Sequence, residues 1–386
     1  MKNNKLKICF ITPAFPTFVC GVGDHIAKLC EELIKFNIEI HIITSKQIKV
    51  DKYYERLGIK FYTMIDKWDF AGWKKAYIIS KKIGIDIIHF QYPIRYPSRR
   101  SLVLRFLPFT LPYVWLSLIS GWKPKRIITI HEYYKVSSFA KIKIFFDMLF
   151  SSQIILVNQV DVLHVRGLIN HSKISYIPIG PTIQTTKYSK EIIKKFKTKN
   201  NLNENFLLAY FGFIDKTKGF EDIIMALNIL KMNYPEIRLL VVGETQSSTY
   251  LDQLKELIKE LDLDKQIIWT GYVAEKDVGL YLQASDLVVL PYLSGATSNR
   301  STLLVPLLLE LPILSTYVYG ITPKQFQDKM LLVSPKSPNK LAEKIDNLII
   351  YPNKRRKLVE SAKELSQMFN WSDIARKTMK IYDKTI

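Results

Sequence analysis

Cysteine is scarce in this chain, with three residues among 386, at positions 9, 20 and 30. An odd number of cysteines without metal-ligand spacing argues against a disulfide framework and against a zinc site. Cys9 lies in an apolar strand pattern and Cys30 in a helical pattern, so we expect buried thiols. Such thiols are typical of a reducing compartment, and we therefore expect a cytoplasmic protein.

Long apolar runs are also missing. The N-terminal segment, residues 1–15, has an apolar run too short for a secretory leader and passes into a polar loop. Leu102–Ser120 comes nearest to a membrane-spanning length, but Arg105 and two prolines interrupt it. A spanning helix is therefore not expected. The chain still has 48% hydrophobic residues and a mean hydropathy of +0.02, which is enough for a substantial core.

Acidic residues are few compared with basic ones, 35 against 56, which gives a net charge of +21. The imbalance lies mainly in residues 1–183, where 27 lysine and arginine residues face 12 aspartate and glutamate residues, a net charge of +15. Residues 184–386 carry +6. A field of this sign favours negatively charged partners, such as an anionic membrane, a lipid phosphate or a nucleic acid.

Motifs for metal and nucleic acid binding are missing as well. The chain has no HExxH motif, and Asp262 and Asp264 have the context of a helix end rather than of a metal site. It has no zinc-finger spacing, helix-turn-helix pattern or RNA-binding signature. We therefore expect no metal, no cofactor and no nucleic acid partner.

The stretch from Arg95 to Arg126 is both basic and aromatic. Such a stretch fits a helix lying in the interface of an anionic membrane. It equally fits a core helix with solvated basic flanks, and the sequence leaves both interpretations open. Its cations are Arg95, Arg99, Arg100, Arg105, Lys123, Lys125 and Arg126, and its aromatic residues include Phe106, Phe109, Tyr113, Trp115 and Trp122.

Short apolar runs alternate with helical patterns through the first half of the chain. Because strands alternating with helices form doubly wound parallel sheets, we predict an α/β fold. Ligands of such folds bind beyond the carboxyl ends of the strands, which places Gln91, His131 and Glu132 at a site. The predicted strands are Lys7–Thr12, Glu39–Thr44, Asp86–Phe90, Arg126–Ile130, Ile154–Leu156 and Ile174–Ile177.

The second half of the chain is organised around the stretch from Phe206 to Thr316. Leu207–Phe211 is an apolar run of strand length, and Gly212 and Gly219 bracket the loop that follows. An amphipathic helical pattern begins after Gly219. Lys218 therefore precedes a helix N-terminus, where backbone N–H groups and an ammonium group suit a diphosphate. An isolated lysine in this position would also fit a solvated loop.

Further motifs follow in order. Leu239–Glu244 and Ile267–Tyr272 each contain a strand that ends at a glycine. Ala284–Tyr292 has the pattern Ala-x-Asp-x-x-x-x-Pro-Tyr, and the loop GATSNRSTLL begins at Gly295. In this ordered combination the chain resembles the retaining glycosyltransferases of family four. The resemblance implies the GT-B fold, in which two doubly wound, Rossmann-like domains face a cleft.

The resemblance also implies a domain plan. Residues 1–183 would form an N-terminal, acceptor-side domain, and residues 184–370 a domain that binds a nucleotide-sugar. Pro178–Lys187 has the composition of the linker between them. Residues 371–386 would form a last helix that packs back on the first domain.

Donor-binding residues follow from the resemblance. The base would lie near Gly271 and Tyr272, and Lys218 and Arg300 would meet the diphosphate. His131, at a strand end, would contact the donor sugar, so His131, Lys218 and Arg300 are the catalytic candidates. The donor-binding candidates are Gly212, Phe213, Lys218, Gly243, Glu244, Gly271, Tyr272, Val273, Gly295, Ala296, Thr297, Arg300, Ser301 and Thr302.

The first strand–helix connection is a second candidate region. In the resembled family this loop lies over the donor phosphates or borders the acceptor site. A tight glycine turn in which Asp24 caps the following helix is an equally good interpretation. The residues concerned are Gly21, Gly23, Asp24 and His25, together with Gln91 at a neighbouring strand end.

The donor loop departs from the common family pattern. Many members have two glutamates separated by seven residues, and Thr297 and Val305 occupy those positions here. The loop is more similar to a bacterial subset with the pattern Gly-Ala-Ser-x-Arg-Arg-Gly-Ser, which it matches at Gly295, Ala296 and Arg300. Weak or lost catalysis is therefore an alternative to full activity.

The resemblance implies a metal-independent glycosyltransferase. It would move a sugar from a nucleotide-diphosphate sugar to a glycan or lipid-linked acceptor, in the synthesis of cell-surface polysaccharide or glycoconjugate. No enzymic nucleophile is evident, so front-face displacement is the implied mechanism. Two alternatives stay open: a non-catalytic scaffold that binds a nucleotide-sugar, and a sugar epimerase of the same fold.

Overall fold

The computed structural model separates the chain into two compact units, one of residues 1–182 and 371–386 and the other of residues 183–370. Residues 93–109 of the basic stretch, with Arg95, Arg99, Arg100 and Arg105, lie outside the described residues. The structure describes residues 5–16, 18, 20–92, 110–134, 136–183, 186–203, 205–245 and 247–386.

The described part of the first unit contains a seven-stranded parallel sheet in the order β3-β2-β1-β4-β5-β6-β7. The predicted α/β architecture is thereby confirmed, and the six predicted strands agree with the observed ones to within two residues at each end. The strands are β1 (Lys7–Ile11), β2 (Glu39–Ser45), β3 (Lys60–Ile65), β4 (Ile87–Tyr92), β5 (Lys125–Ile130), β6 (Gln153–Leu156) and β7 (Ile174–Tyr176).

Helices cover both faces of this sheet, and each face has its own apolar core. One core includes Trp73, Tyr113 and Met148, and the other includes Phe10 and Ile26. The helices are α1 (Gly21–Leu33), α2 (Lys52–Arg56), α3 (Phe70–Ile83), α4 (Leu111–Ser120), α5 (Ser138–Leu149) and α6 (Gln159–Val165).

The C-terminal helix, Trp371–Thr385, belongs to the first unit. Its apolar side, with Ile374 and Tyr382, joins the same core as Ile26 of α1. Trp371 donates from its indole N–H to the carbonyl of Pro181 at 2.9 Å. The helix therefore completes the core on this face of the first sheet.

The second unit contains a six-stranded parallel sheet in the order β10-β9-β8-β11-β12-β13 among its described residues. Its strands are β8 (Leu207–Phe211), β9 (Arg238–Val242), β10 (Ile267–Gly271), β11 (Leu287–Leu290), β12 (Ile313–Thr316) and β13 (Leu331–Val333). Its helices are α7 (Lys190–Lys199), α8 (Phe220–Leu230), α9 (Ser248–Glu260), α10 (Glu275–Gln283), α11 (Ser301–Leu308), α12 (Lys324–Lys329), α13 (Pro338–Ile350) and α14 (Pro352–Ser366).

Two composition-based expectations can be compared with the structure. All three cysteines are free and buried, as predicted. Across the described residues, no helix combines the length and the apolarity that crossing a bilayer requires.

Candidate active site

The glycine loop after β8 allows a very close approach of backbone segments. Gly212 has a φ of +125°, and a Cβ there would lie 2.7 Å from the Thr302 methyl carbon. Gly219 has a φ of +68°, and a Cβ there would lie 2.2 Å from the carbonyl oxygen of Pro291. A side chain at Gly212 would push the end of β8 away from Thr302, and one at Gly219 would push the start of α8 away from Pro291, so glycine is required at both for steric reasons.

Two cations lie against one aromatic ring in the second unit. The Arg300 guanidinium is 4.2 Å from the centre of the Tyr292 ring, and the Lys218 ammonium is 5.7 Å from it. The Tyr292 hydroxyl is 2.7 Å from the Thr302 hydroxyl, which fixes the ring. The ring thus gives both cations an apolar support on one side, a geometry that favours an anion on the other.

The N-terminus of α11 lies beside these cations. Arg300 occupies its N-cap position in extended conformation, and the Arg300 side chain makes no capping hydrogen bond. The first N–H groups of a helix lack intrahelical partners, and the helix dipole adds positive potential there. Helix α8 begins in the same way, after Gly219 and without a side-chain cap. Two helix starts and two cations together form a site suited to a diphosphate.

A cavity of about 270 Å³ adjoins this anion site. Two aromatic residues on its wall are strongly exposed, Phe213 at 56% and Tyr272 at 73%. Exposed rings beside a cavity of this size suit a flat heterocyclic base. The cavity is lined by Ile183, Phe211, Gly212, Phe213, Val242, Gly243, Glu244, Tyr272, Val273, Glu275, Val278 and Thr302.

Most predicted donor residues therefore come together in the second unit. Gly212, Phe213, Gly243, Glu244, Tyr272, Val273 and Thr302 line the cavity. Gly271 ends β10 and bridges to Gly243 through the backbone. Ser301 begins α11, and Lys218 and Arg300 share the Tyr292 ring.

The remaining donor-loop residues are less accessible. The backbone N–H of Ala296 donates to Thr316, and the Thr297 hydroxyl is 2.6 Å from the Asn299 amide oxygen. Gly295, with a φ of +78°, packs against Val318. Val305 is buried in α11. Both positions that hold glutamate in many family members are thus occupied by buried neutral residues.

His131 follows β5 in the first unit, where the strand ends. Its Nε2 is 2.8 Å from the amide oxygen of Gln91, and its backbone N–H donates to the Tyr92 carbonyl. Burial lowers the pKa of His131 to about 4, so the ring is neutral at pH 7. A neutral imidazole can donate from one nitrogen and accept at the other.

The first strand–helix connection does not form the tight glycine turn, with Asp24 as the cap of the next helix, that was one of its two interpretations. Gly21, Gly23 and Asp24 lie inside α1, whose N-cap is Cys20, so Asp24 is not the cap. Gly23 is needed for packing, because a Cβ there would lie 3.2 Å from the Phe15 backbone.

Within this group, His25 comes together with the strand-end residues. The ring centres of His25 and His131 are 4.9 Å apart, edge to face. Burial, followed by the proximity of His131, holds the pKa of His25 well below its usual value. Glu132 is partly exposed and outside this cluster of rings.

Some residues at these sites were not predicted from the sequence. Tyr292 belongs to a quoted motif, yet its role as the support of two cations needed the structure. Asp161 accepts hydrogen bonds from the backbone N–H groups of Tyr133 and Tyr134, and so holds the loop after His131. Within the described ranges, no three histidine, cysteine or acidic side chains are grouped to hold a metal ion.

Comparison with known proteins shows a family match in the second unit and a relative similar over most of the chain. Residues 191–365 match the family model described as Glycosyl transferases group 1. Over 328 residues the chain is 24% identical to the alpha-monoglucosyldiacylglycerol synthase of Streptococcus pneumoniae, covering 77% of this chain and 68% of that protein.

Solved structures are similar over both units. A glycosyltransferase from Rickettsia africae superposes with a TM-score of 0.77 at 18% identity, covering 99% of each chain. Anabaena Alr3699/HepE, in complex with UDP and glucose, superposes with a TM-score of 0.69 at 15% identity, covering 98% of this chain and 100% of that one. The chain therefore has the GT-B fold of two Rossmann-like parallel-sheet domains, and its match to the glycosyl transferases group 1 model lies within the second unit.

Proposed function

We propose that this protein is a retaining glycosyltransferase that takes a sugar from a nucleotide-diphosphate sugar. The observation that carries the proposal is the anion site of Lys218, Arg300 and the N-terminus of α11, directly beside an aromatic cavity. With a diphosphate in the anion site and a base in the cavity, the nucleotide would contact the predicted donor-binding residues that line these two sites. The match to the glycosyl transferases group 1 model covers the same residues.

The proposed mechanism depends on where negative charge develops during sugar transfer. As the sugar–oxygen bond breaks, negative charge grows on the leaving diphosphate, and preorganised donors there stabilise the transition state. Lys218, Arg300 and the N–H groups of α11 supply those donors without a metal. We therefore predict that transfer continues in the presence of EDTA.

Retention of configuration is the finer part of the proposal. With no enzymic nucleophile, the acceptor hydroxyl would attack from the face that the diphosphate leaves. A phosphate oxygen of the leaving group would take the hydroxyl proton. In this scheme His131 contacts the transferred sugar, a role that remains a prediction from the resemblance.

The proposed class of acceptor is based on the relatives and on the positive charge of the protein. The relatives include a glucolipid synthase and a capsular polysaccharide glycosyltransferase. We propose a glycan or lipid-linked acceptor in the synthesis of cell-surface polysaccharide or glycolipid, with the protein on the cytoplasmic side.

Incubation with UDP-, GDP- and ADP-sugars, with and without lipid acceptors, tests the function. We expect transfer from at least one donor, and NMR of the new glycosidic bond should show the donor's anomeric configuration. Absence of both turnover and nucleotide binding across the panel would contradict the proposal.

One observation favours a second candidate, a nucleotide-sugar-binding protein without catalysis. Thr297 and Val305 are buried and neutral where many family members have carboxylates. This alternative predicts calorimetric binding of a nucleotide-sugar with neither transfer nor hydrolysis over a long incubation. Transfer to any acceptor in the same assay would exclude it.

We also propose that the first unit attaches to an anionic membrane through one helical face. Helices α3, α4, α5 and α6 pack on the same core cluster. The only carboxylates on these four helices, Asp147 and Asp161, are buried, whereas α3 exposes four lysines. The exposed large apolar side chains on these helices are Phe70, Ile78, Trp115, Leu118, Ile119, Phe139, Ile142, Phe146, Leu149 and Leu163.

An apolar face without exposed negative charge is complementary to an anionic bilayer. Vesicle co-sedimentation tests this: binding should require anionic lipid, weaken at about 0.5 M salt, and fall when Phe139 and Ile142 are changed to Ser. Tyr53→Ser, an exposed aromatic change on α2, is the matched control. Equal sedimentation with neutral and anionic vesicles, or none with either, would contradict membrane attachment.

A further inference from the structure

A hydrogen-bonded chain of side chains runs from His131 to the C-terminal helix. His131 Nε2 is 2.8 Å from Gln91 Oε1, and Gln91 Nε2 is 3.4 Å from His89 Nε2. His89 Nδ1 is in turn 2.7 Å from the Tyr382 hydroxyl. The members come from three elements, the end of β4, the end of β5 and a helix that follows almost 300 residues later.

The chemistry of each atom gives this chain a direction. An amide oxygen can only accept, so His131 must donate to Gln91 from Nε2–H. The amide nitrogen of Gln91 can only donate, so His89 accepts at Nε2. The Thr129 hydroxyl, 2.8 Å away, donates to the same nitrogen. The proton of the neutral His89 ring therefore lies on Nδ1 and is donated to Tyr382.

We propose that Gln91, His89 and Tyr382 are positioning residues that hold His131 as the Nε2–H tautomer. The remaining nitrogen, Nδ1, then carries a lone pair that accepts a hydrogen bond from a hydroxyl group of the bound sugar. This inference rests on the proposed glycosyltransferase function. It assigns the C-terminal helix a part in the chemistry, through Tyr382, in addition to its packing.

The surroundings keep the two histidines of this hydrogen-bonded chain neutral and hold the His131 ring in place. Burial lowers the pKa of His131 to about 4 and that of His89 to about 3, so neither carries charge at pH 7. With no charge on either ring, the direction of the hydrogen bonds decides which nitrogen accepts. His25 packs edge to face on His131 and is itself 5.3 Å from the Trp371 ring, which restricts rotation of the imidazole.

Nitrogen-15 NMR of the histidine-labelled full chain tests the tautomer without any substrate. We expect His131 to show a protonated Nε2 and an unprotonated Nδ1 at pH 7. The opposite pattern, with the proton on Nδ1, would mean that the Gln91 amide is turned and the chain runs the other way. That result would overturn the inference.

Tyr382→Phe removes the acceptor at the far end of the chain. Without this acceptor, His89 no longer favours the proton on Nδ1, and the hydrogen bonds through Gln91 can run in either direction. The His131 signal should therefore change to a mixture of both tautomers. We expect the turnover number to fall about 10-fold with the donor KM unchanged, since small errors of position are costly in catalysis. Thr378→Val is the matched control, because it removes a buried hydroxyl that bonds only to the carbonyl of Ile374 in the same helix. Unchanged tautomers and turnover in Tyr382→Phe would overturn the inference.

A pair of changes at Gln91 separates positioning from folding. Gln91→Glu keeps an oxygen that accepts from His131 Nε2–H, whereas Gln91→Leu keeps the volume but no acceptor. The Nε2–H tautomer should survive in the first variant and be lost in the second. Equal tautomer ratios in the two variants would contradict the role of Gln91. If the tautomer is as expected and no sugar is transferred in the donor panel, it is the proposed function that fails.

Discussion

Tyr292 supports both cations of the proposed donor site. Its buried ring carries the Arg300 guanidinium and the Lys218 ammonium, and its hydroxyl is tied to Thr302 at the start of α11. Burial raises the pKa of Tyr292 to about 12, so the phenol stays neutral and remains an apolar support for the cations. One side chain thus links the glycine loop to the donor loop.

Lys218→Ala should impair the use of the donor more than the use of the acceptor. Loss of one preorganised cation from the leaving diphosphate costs about 2–4 kcal/mol in the transition state. That is a rate reduction of roughly 30- to 1000-fold, measured as donor turnover. Lys216→Ala is the matched control, because this exposed lysine of the same loop lies over Tyr250 instead. Near-normal turnover in Lys218→Ala would remove the lysine from the mechanism.

The buried histidines of the first unit predict a loss of stability in mild acid. Their pKa values lie below the unfolded value of about 6.5, so the unfolded chain binds more protons and stability falls as the pH drops through 6.5 towards 4. For His89 or His131 alone the free energy of unfolding should fall by about 2 kcal/mol between pH 7 and pH 5.

Urea unfolding at the two pH values measures this loss. His89→Gln should reduce the pH dependence, because it removes one of the buried rings that the unfolded chain protonates. An equal urea midpoint at pH 7 and pH 5 in the unchanged protein would contradict neutral burial of these rings.

Among the elements, the loop between β8 and α8 approaches the segment after β11 very closely, and a glycine substitution tests whether that contact is rigid. Gly219→Ala adds both a strained φ and a contact with the Pro291 carbonyl, and we expect it to destabilise the protein by about 3 kcal/mol or more. Gly84→Ala, which ends α3 with a φ of +71° and open space around it, should cost only about 1 kcal/mol. Equal unfolding free energies for the two variants would show that the loop can relax.

Elements with a strong local pattern could be predicted from the sequence. Buried strands such as β1 and β8 are continuous apolar runs, and the start of α8 was placed by Gly219 and the acidic residues after it. The strand β3 was missed, because Lys60–Ile65 is an edge strand with mixed exposure and no continuous apolar run. Gly21 and Gly23 look like a turn in the sequence but lie in α1, and at Gly23 the packing on Phe15 outweighs glycine's low helix propensity.

Contacts between distant parts of the chain could not be predicted. The hydrogen bond between His89 and Tyr382 joins residues 293 positions apart, and neither residue has a local pattern that points to the other. The same holds for the hydrogen bond from Lys336 to Asp222 in the second unit, across 114 positions. Motifs show which segments form a site, whereas the hydrogen bonds that orient its side chains depend on tertiary structure.

At the scale of the whole molecule, the two units differ in charge and in the chemistry that they offer. The first half of the sequence has a net charge of +15, and among its described residues helices α3 to α6 have no exposed carboxylate and the histidine cluster is neutral. The second half has a net charge of +6, and its unit holds two cations on one ring beside an aromatic cavity. On this division we base the proposal of a donor site on the second unit and of acceptor recognition by the first.

We propose above all that the second unit binds a nucleotide through its diphosphate. Calorimetric titration with UDP, GDP and ADP, and with the corresponding monophosphates, tests it most directly. At least one diphosphate should bind about 10-fold or more tighter than its monophosphate, since hydrogen bonds to charged groups contribute about 1.5–3 kcal/mol. The difference should disappear when Lys218 and Arg300 are both changed to Ala. Equal affinity for mono- and diphosphates in the unchanged protein, or no binding of either, would contradict the account.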